Sequence, residues 1–344
     1  MNGEILLPAA QPAAPDLGRR RFLALATVAC ATGIAGCARW PRAAATATAA
    51  SASAMDAAAF HAARRYTRTA FGDIAHVERG SGPAALFLHG FPLNSFQWRG
   101  ALARLAPYRR CIAPDFLGLG YTRVAEGQSC APAAQVAMLV ALLDALGIGS
   151  ADVVASDSGG AAAQLLVAHH PERVRSLLLA NCDTEQDCPP PAMLPVIELA
   201  KQGRFVDDWL GHWYRDHALA RSAAGIGGMC YADPAHPTDE AIDTYFAPLL
   251  ASQHSRDLAH AYAIALGHNA LAGIGSALAR TRMPVRIVWG DADTIFAPGN
   301  AGFLDRAFGH SQGVRRLPDS KLFWPEERPD VIAEEALELW REHA

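Results

Sequence analysis

Asp157 and Ser158 stand side by side in the stretch Val153-Val154-Ala155-Ser156-Asp157-Ser158-Gly159-Gly160, where a β-branched run meets small, turn-forming residues. An apolar segment, 161–168, follows, so the stretch reads as a buried strand, a tight turn and a helix. A turn of this kind holds one side chain on a strained backbone, and only small neighbours fit around it. Asp157 has Ala155 two before it and Gly159 two after it; Ser158 has Ser156 and Gly160. Both therefore meet the steric rule. They differ in chemistry: a carboxylate attacks carbon directly and leaves an ester, whereas a serine hydroxyl needs a base to take its proton. Three other places offer supporting groups. They are His89-Gly90-Phe91-Pro92 after an apolar strand, Asp183 after a later strand, and Asp293 in Gly290-Asp291-Ala292-Asp293.

The elements that must position these residues follow from apolar periodicity. Residues 65–80 read as two short strands hinged near Gly72-Asp73, and 84–88, 111–114, 153–157 and 174–180 as further strands. Helical patterns at 98–106, 133–146 and from the turn to His170 alternate with them, and the loop Gly118-Leu119-Gly120-Tyr121 follows the fourth strand. This rhythm predicts an α/β fold with a mostly parallel sheet and helices on both faces. It breaks at 189–282, where helical patterns at 193–203, 205–218, 239–251 and 258–279 predict an inserted helical cap. Strands at 285–289 and 314–317, a helix near 303–308 and a last helix from Pro329 complete a core of 65–188 and 283–344.

A chain of 344 residues, 51% hydrophobic and 19% charged, is globular, and a net charge of −4 offers no basic face for nucleic acid or an anionic membrane. Segment 1–37 reads as a Tat-type signal peptide. Arg19-Arg20-Arg21-Phe22-Leu23 matches a twin-arginine signature, and the apolar run 22–36 is shorter than the roughly 20 residues of a spanning helix. Ile34-Ala35-Gly36-Cys37 resembles a lipobox, with Cys37 as the lipidated residue. The expectation is Tat export to the periplasm as a lipoprotein, with the membrane met only through that anchor. Segment 38–64, rich in Ala, Thr and Ser, reads as a flexible linker. The later cysteines, Cys111, Cys130, Cys182, Cys188 and Cys230, lack CxxC spacing, so no metal and no cofactor is expected. Buried thiols are expected for most of them, with Cys182 and Cys188 as one pair that export would permit.

From 65 to its end the chain resembles the α/β-hydrolase family: the His-Gly-Phe-Pro turn, the nucleophile turn, the helical cap and the late Gly-x-x-Asp stand in that family's order. The resemblance sets the register. In the family the nucleophile commonly precedes a His-Pro-Glu-Arg-Val segment by thirteen residues, and here that segment starts at His170, which lands on Asp157. An aspartate there is similar to the haloalkane dehalogenase and epoxide hydrolase branch, as is the stretch 89–99 with Pro92, Asn94, Trp98 and Arg99. The resemblance implies an ester formed on Asp157 and hydrolysed by water with a base. It also implies backbone N–H groups of Phe91 and Ser158 as the oxyanion hole, and Asp293, or more weakly Asp183, as the acid orienting the base. Trp98 and Tyr121 are the expected substrate-binding residues.

The base is where the chain departs from the family. The family's last loop carries a histidine five before a Glu-Arg-Pro, and the matching segment Ser320-Lys321-Leu322-Phe323-Trp324-Pro325-Glu326-Glu327-Arg328-Pro329 has Leu322 there. His310 precedes the final strand and should lie at the far end of the sheet; cap candidates are His212, His217, His236, His254, His260 and His268. Dehalogenases of this branch place side-chain donors for halide where this chain has Phe91 and Ser158. Epoxide opening needs acidic cap hydroxyls, for which Tyr214, Tyr231, Tyr245 and Tyr262 are available. Three readings stay open. One is a hydrolase with an Asp157 nucleophile acting on a small apolar haloalkane, epoxide or ester. Another is a catalytically impaired relative that binds a small hydrophobic molecule or stalls at the ester. The third is a Ser158 esterase.

Overall fold

The fold is given by a computed structural model, which describes residues 54–341. The twin-arginine segment and Cys37 lie outside the described residues. The sheet order is β1-β2-β4-β3-β6-β7-β8-β9, with the two-residue β5 (Arg123–Val124) paired to β2. β1 (Arg64–Thr69) and β2 (Gly72–Arg79) form an antiparallel hairpin at one edge, and β2 runs antiparallel to β4 (Arg110–Pro114). Every later pairing is parallel: β3 (Ala84–Leu88) to β4 and β6 (Ala151–Asp157), then β7 (Val174–Cys182), β8 (Val285–Gly290) and β9 (Ser311–Leu317). The antiparallel edge follows from its connection. Gly72, at φ 120°, closes a tight turn where an added Cβ would lie 2.0 Å from the Arg123 carbonyl oxygen.

β3 and β6 are adjacent and buried along their whole lengths. Continuous apolar runs such as Ala84-Ala85-Leu86-Phe87-Leu88 suit strands covered by helices on both faces. Their carboxyl ends place His89-Gly90-Phe91 beside Asp157, where open parallel sheets offer their ligand crevice.

Between β7 and β8 the described residues contribute no strand to the sheet. The segment is helical, as its pattern predicts, but more broken. Instead of one helix over 205–218, a π-helical turn Val206–Leu210 and the helix Gly211–Arg215 end at Asp216, whose side chain caps a new helix, His217–Ala220, by accepting from the Leu219 N–H. The long 258–279 pattern is likewise two helices, Gln253–Ala265, capped by Ser252, and Gly275–Leu278. A capping side chain satisfies orphan N–H groups and so starts a helix where periodicity alone does not. The inserted helices are tied to the sheet domain by Glu326. It accepts from the hydroxyls of Tyr231 (2.7 Å) and Tyr245 (2.9 Å) and pairs with Arg99 at 2.6 Å.

The linker expectation needs correction at its end. Ala57–Ala63 is a helix, with Asp56 as its N-cap and Phe60 buried edge-on against Phe96. One aromatic anchor in an otherwise small-residue stretch is enough to dock it. Cys111, Cys130, Cys182, Cys188 and Cys230 are all free thiols, four of them buried. Among the described residues no helix is long and apolar enough to cross a membrane.

Candidate active site

Asp157 ends β6 at φ 55°, the one positive φ of a non-glycine residue among those described, and the helix Ser158–His169 begins immediately after it. The surrounding small residues are steric requirements. An added Cβ would come within 2.6 Å of the Asp157 Cβ at Gly90, 2.5 Å of the His89 carbonyl oxygen at Gly159, and 2.3 Å of the Cys182 Cβ at Gly160. Such strain persists where packing over-determines it.

The Phe91 N–H donates to Asp157 Oδ1 at 3.0 Å, and the Ser158 N–H donates to the same oxygen. Two converging backbone donors fix one carboxylate oxygen and leave Oδ2 for chemistry. The turn that carries Phe91 is held from behind by His89, fully buried, which donates through Nδ1 to the Gly90 carbonyl (2.9 Å) and accepts from the Phe116 N–H at Nε2 (3.1 Å). Both ring nitrogens are thereby used, and burial lowers the pKa of this imidazole.

Asp157 opens on a cavity of about 120 Å³. Its walls are apolar: Phe91, Met193, Val196, Phe205, Trp209, Trp213, Ile226, Met229, Ile295, Leu322 and Phe323, with the Cys230 thiol as a soft exception. Asp157 is the one charged side chain among them. Leu322, buried, therefore shares the cavity with Asp157, at the position where the family resemblance calls for histidine. No histidine lines it. His260 accepts from the Val206 N–H, His217 sits between Asp239 and Asp243, and His310 bonds the Arg282 carbonyl ahead of β8.

Two expected substrate-binding residues are elsewhere. Trp98 is wholly buried in the core with its ring on Phe87, because the short helix Ser95–Trp98 turns it under the sheet. Tyr121 packs under the Arg64 guanidinium, 3.5 Å from its ring centroid, and lines a separate surface depression with Arg123 and His254. The aromatic wall from the insertion went unread. Phe205, Trp209 and Trp213 recur every four residues, and that spacing was the available signal that they share a helix face.

The two acids differ in partners. Asp293 is buried and fully engaged: Oδ2 accepts from the Asn181 amide (2.8 Å) and Oδ1 from the Ile295 N–H (2.8 Å). Asn181 Oδ1 in turn accepts from the Trp324 indole (3.1 Å) and the Gly290 N–H (2.7 Å). Asp183 sits behind the nucleophile turn, its carbonyl bonded by Gln164 at 2.8 Å. Burial pushes Asp157 up to about 6 against the Phe91 and Ser158 N–H donors, and Asp293 up to about 6 against Ile295 and Asn181. Asp183 rises to about 8, from burial first and the Asp157 charge second. Ser158 Oγ lies 3.0 Å from the Tyr262 hydroxyl and does not line the cavity. Among the described residues no group of acidic, histidine and cysteine side chains is placed to hold a metal.

A family model described as alpha/beta hydrolase fold matches residues 83–321. Among curated proteins the chain is 43% identical over 111 residues to a haloalkane dehalogenase of Mesorhizobium japonicum, 30% of this chain and 34% of that one. It is also 43% identical over 105 residues to a 2-hydroxymuconate semialdehyde hydrolase of Pseudomonas putida, 30% and 37% respectively. It is 43% identical over 101 residues to epoxide hydrolase 2 of Siraitia grosvenorii, 29% and 32%. The chain thus spans about a third of the length of each of these relatives. Among solved structures, a haloalkane dehalogenase of Bradyrhizobium elkani superposes with TM-score 0.66 at 24% identity, covering 81% of this chain and 99% of that one. An esterase of Thermogutta terrifontis gives TM-score 0.64 at 21% identity, covering 81% and 98%. These likenesses are of fold.

Proposed function

The chain belongs to the alpha/beta hydrolase family, and on that premise we propose that Asp157 is a carboxylate nucleophile toward a small, uncharged, apolar molecule and that the resulting ester is released slowly. The observation that carries this reading is a single cavity holding both Asp157, with two N–H donors on one oxygen, and Leu322 at the base position. Attack needs only the carboxylate. Its oxygen forms a bond to an sp³ carbon, the carbon–leaving-group bond breaks, and the leaving group departs with the electron pair. Release needs water stripped of a proton at the ester, and a leucine side chain neither accepts that proton nor orders the water.

The walls also speak to the substrate. A cavity of about 120 Å³ is close to the roughly 150 Å³ that admits a benzene-sized guest. Epoxide opening needs a proton for the new alkoxide. However, the hydroxyls of Tyr231 and Tyr245 are spent on Glu326, that of Tyr262 is bonded to Ser158, and Tyr214 is partly exposed, none of them lining the cavity. A leaving group that departs as a stable anion, such as a halide, asks for no proton, and the indoles of Trp209 and Trp213 are the side-chain N–H groups in the walls. An alkyl halide is therefore the favoured class. A Ser158 esterase is disfavoured, since the Ser158 hydroxyl is turned to Tyr262 and no histidine is at hand.

Intact mass of the protein after incubation with haloalkanes, epoxides and activated esters tests the reading. The expected result is an adduct of alkyl mass, mapped to Asp157 and absent in Asp157→Asn. Released product in many-fold excess over protein, with no adduct, would overturn slow release. Neither adduct nor product would make the cavity a binding site alone.

A further inference from the structure

Tyr262 belongs to the helix Gln253–Ala265 of the insertion, far in sequence from the nucleophile turn, and its side chain is buried. It makes two contacts that converge. Its hydroxyl is 3.0 Å from Ser158 Oγ. Its ring lies parallel to that of Phe91, 6° from coplanar with centroids 5.6 Å apart. Phe91 and Ser158 are the two residues whose N–H groups meet on Asp157 Oδ1. On its other side Phe91 is stacked at 5.5 Å by Phe205, also from the insertion.

We infer that Tyr262 is a positioning residue for the N–H pair, so that the helix Gln253–Ala265 sets the geometry of the nucleophile's carboxylate without itself lining the cavity. It rests on the reading of Asp157 as nucleophile. The physical need is plain. Phe91 lies on the loop after β3 and Ser158 opens the helix after β6, and two N–H vectors must hold one oxygen to within a few tenths of an ångström for preorganisation to favour the attacking geometry. A loop alone gives no such precision. A rigid ring against Phe91 and a hydroxyl against Ser158 tie both donors to one side chain, and the Phe116 ring, 6.4 Å from the Tyr262 centroid, backs that side chain in turn. The role is separable from packing because the two contacts use different parts of the phenol.

Amide hydrogen exchange at Phe91 and Ser158 in Tyr262→Phe and Tyr262→Leu, with the alkylation rate constant measured alongside, tests it. Tyr262→Phe keeps the ring and loses the hydroxyl, so exchange should rise about tenfold at Ser158 and stay as in wild type at Phe91. Tyr262→Leu, which removes the ring and the hydroxyl together, should raise both, with the β6 amides of Val153 and Val154 unchanged. In the alkylation assay the maximal rate should fall about tenfold with half-saturation unchanged. Ser158→Ala combined with Tyr262→Phe should be no slower than the slower single variant, because both remove one hydrogen bond. Exchange rising equally across β6, or unchanged at both donors, would overturn the proposal and leave Tyr262 as packing. If the wild type forms no adduct with any reagent, the nucleophile reading falls, while the exchange pattern still decides what Tyr262 does.

Discussion

Two sides of one small cavity have fared differently. On the Asp157 side stand the features that the proposed attack would use: a strained turn, three glycines that a Cβ would disrupt, and two N–H donors on one oxygen. On the Leu322 side, Asp293, the proposed acid for orienting a base, is bonded by Asn181 and Ile295 and does not line the cavity, where Leu322 stands. The difference teaches that the two chemical steps of such a site have separate structural supports. The proposed attacking group is built into the backbone of the sheet, where loss of a glycine would break the fold locally. The base that the family resemblance calls for would be one side chain on a loop, and with leucine at 322 that loop keeps its own anchors, Trp324 on Asn181 and Glu326 on Arg99.

The largest expected effect breaks the comparison if it fails. Asp157→Asn should abolish adduct formation altogether, as read by intact mass. In the wild type, the alkylation rate should rise with pH through about 6, since burial holds Asp157 there and only the carboxylate attacks. A flat profile between pH 5 and 8 would place the nucleophile elsewhere. Next, Leu322→His should shorten the lifetime of the ester by about 100-fold, the lower range for a positioned base, as measured by loss of the adduct mass over time. An unchanged lifetime would mean that the Asn181–Asp293 pairing keeps the new imidazole unoriented.

Glu326→Ala addresses what the comparison takes for granted, that the loop beyond Leu322 is still doing structural duty. The substitution strands Arg99 and two tyrosine hydroxyls in buried surroundings, and should cost about 3–5 kcal/mol in urea unfolding. The smallest effect concerns stability at the attacking side. The folded pKa of Asp157, about 6, lies above the ordinary aspartate value of 3.8, so the folded state holds its proton longer than the unfolded one. Its contribution to stability is present below pH 4 and is lost as pH rises through 6. Asp157→Asn should therefore unfold later than wild type at pH 8, by up to about 3 kcal/mol, and at the same denaturant concentration at pH 4. No gain at pH 8 would mean that the two N–H donors fully offset the cost of burial.

The parts of the molecule that can be read in advance are those whose physics is local. Val153-Val154 into small residues and then an apolar run is a strand, turn and helix whatever surrounds it, whereas the count from Glu327 back to Leu322 comes from the family resemblance. Contacts between distant segments are another matter. Trp98 and Tyr121 were expected at the substrate because they stand beside suggestive motifs, but the first is packed on Phe87 and the second under Arg64. The capture of Asp293 by Asn181, the docking of Phe60 on Phe96 and the meeting of Tyr262 with Ser158 depend on how elements cross. The helix break at Asp216, inside the 205–218 pattern, and the start of the next helix at Ser252, ahead of 258, depart from periodicity for a gentler reason: a cap outranks it, and both residue types announce one.

The proposed failure to release the ester has a consequence that is arithmetic. A site that reacts and does not reset has a capacity in place of a rate: each chain removes one molecule, and a population of chains is exhausted when the dose matches its number. Exposure would then be recorded as the fraction of chains carrying an alkyl group on Asp157, a quantity readable by mass long after the reagent itself has gone.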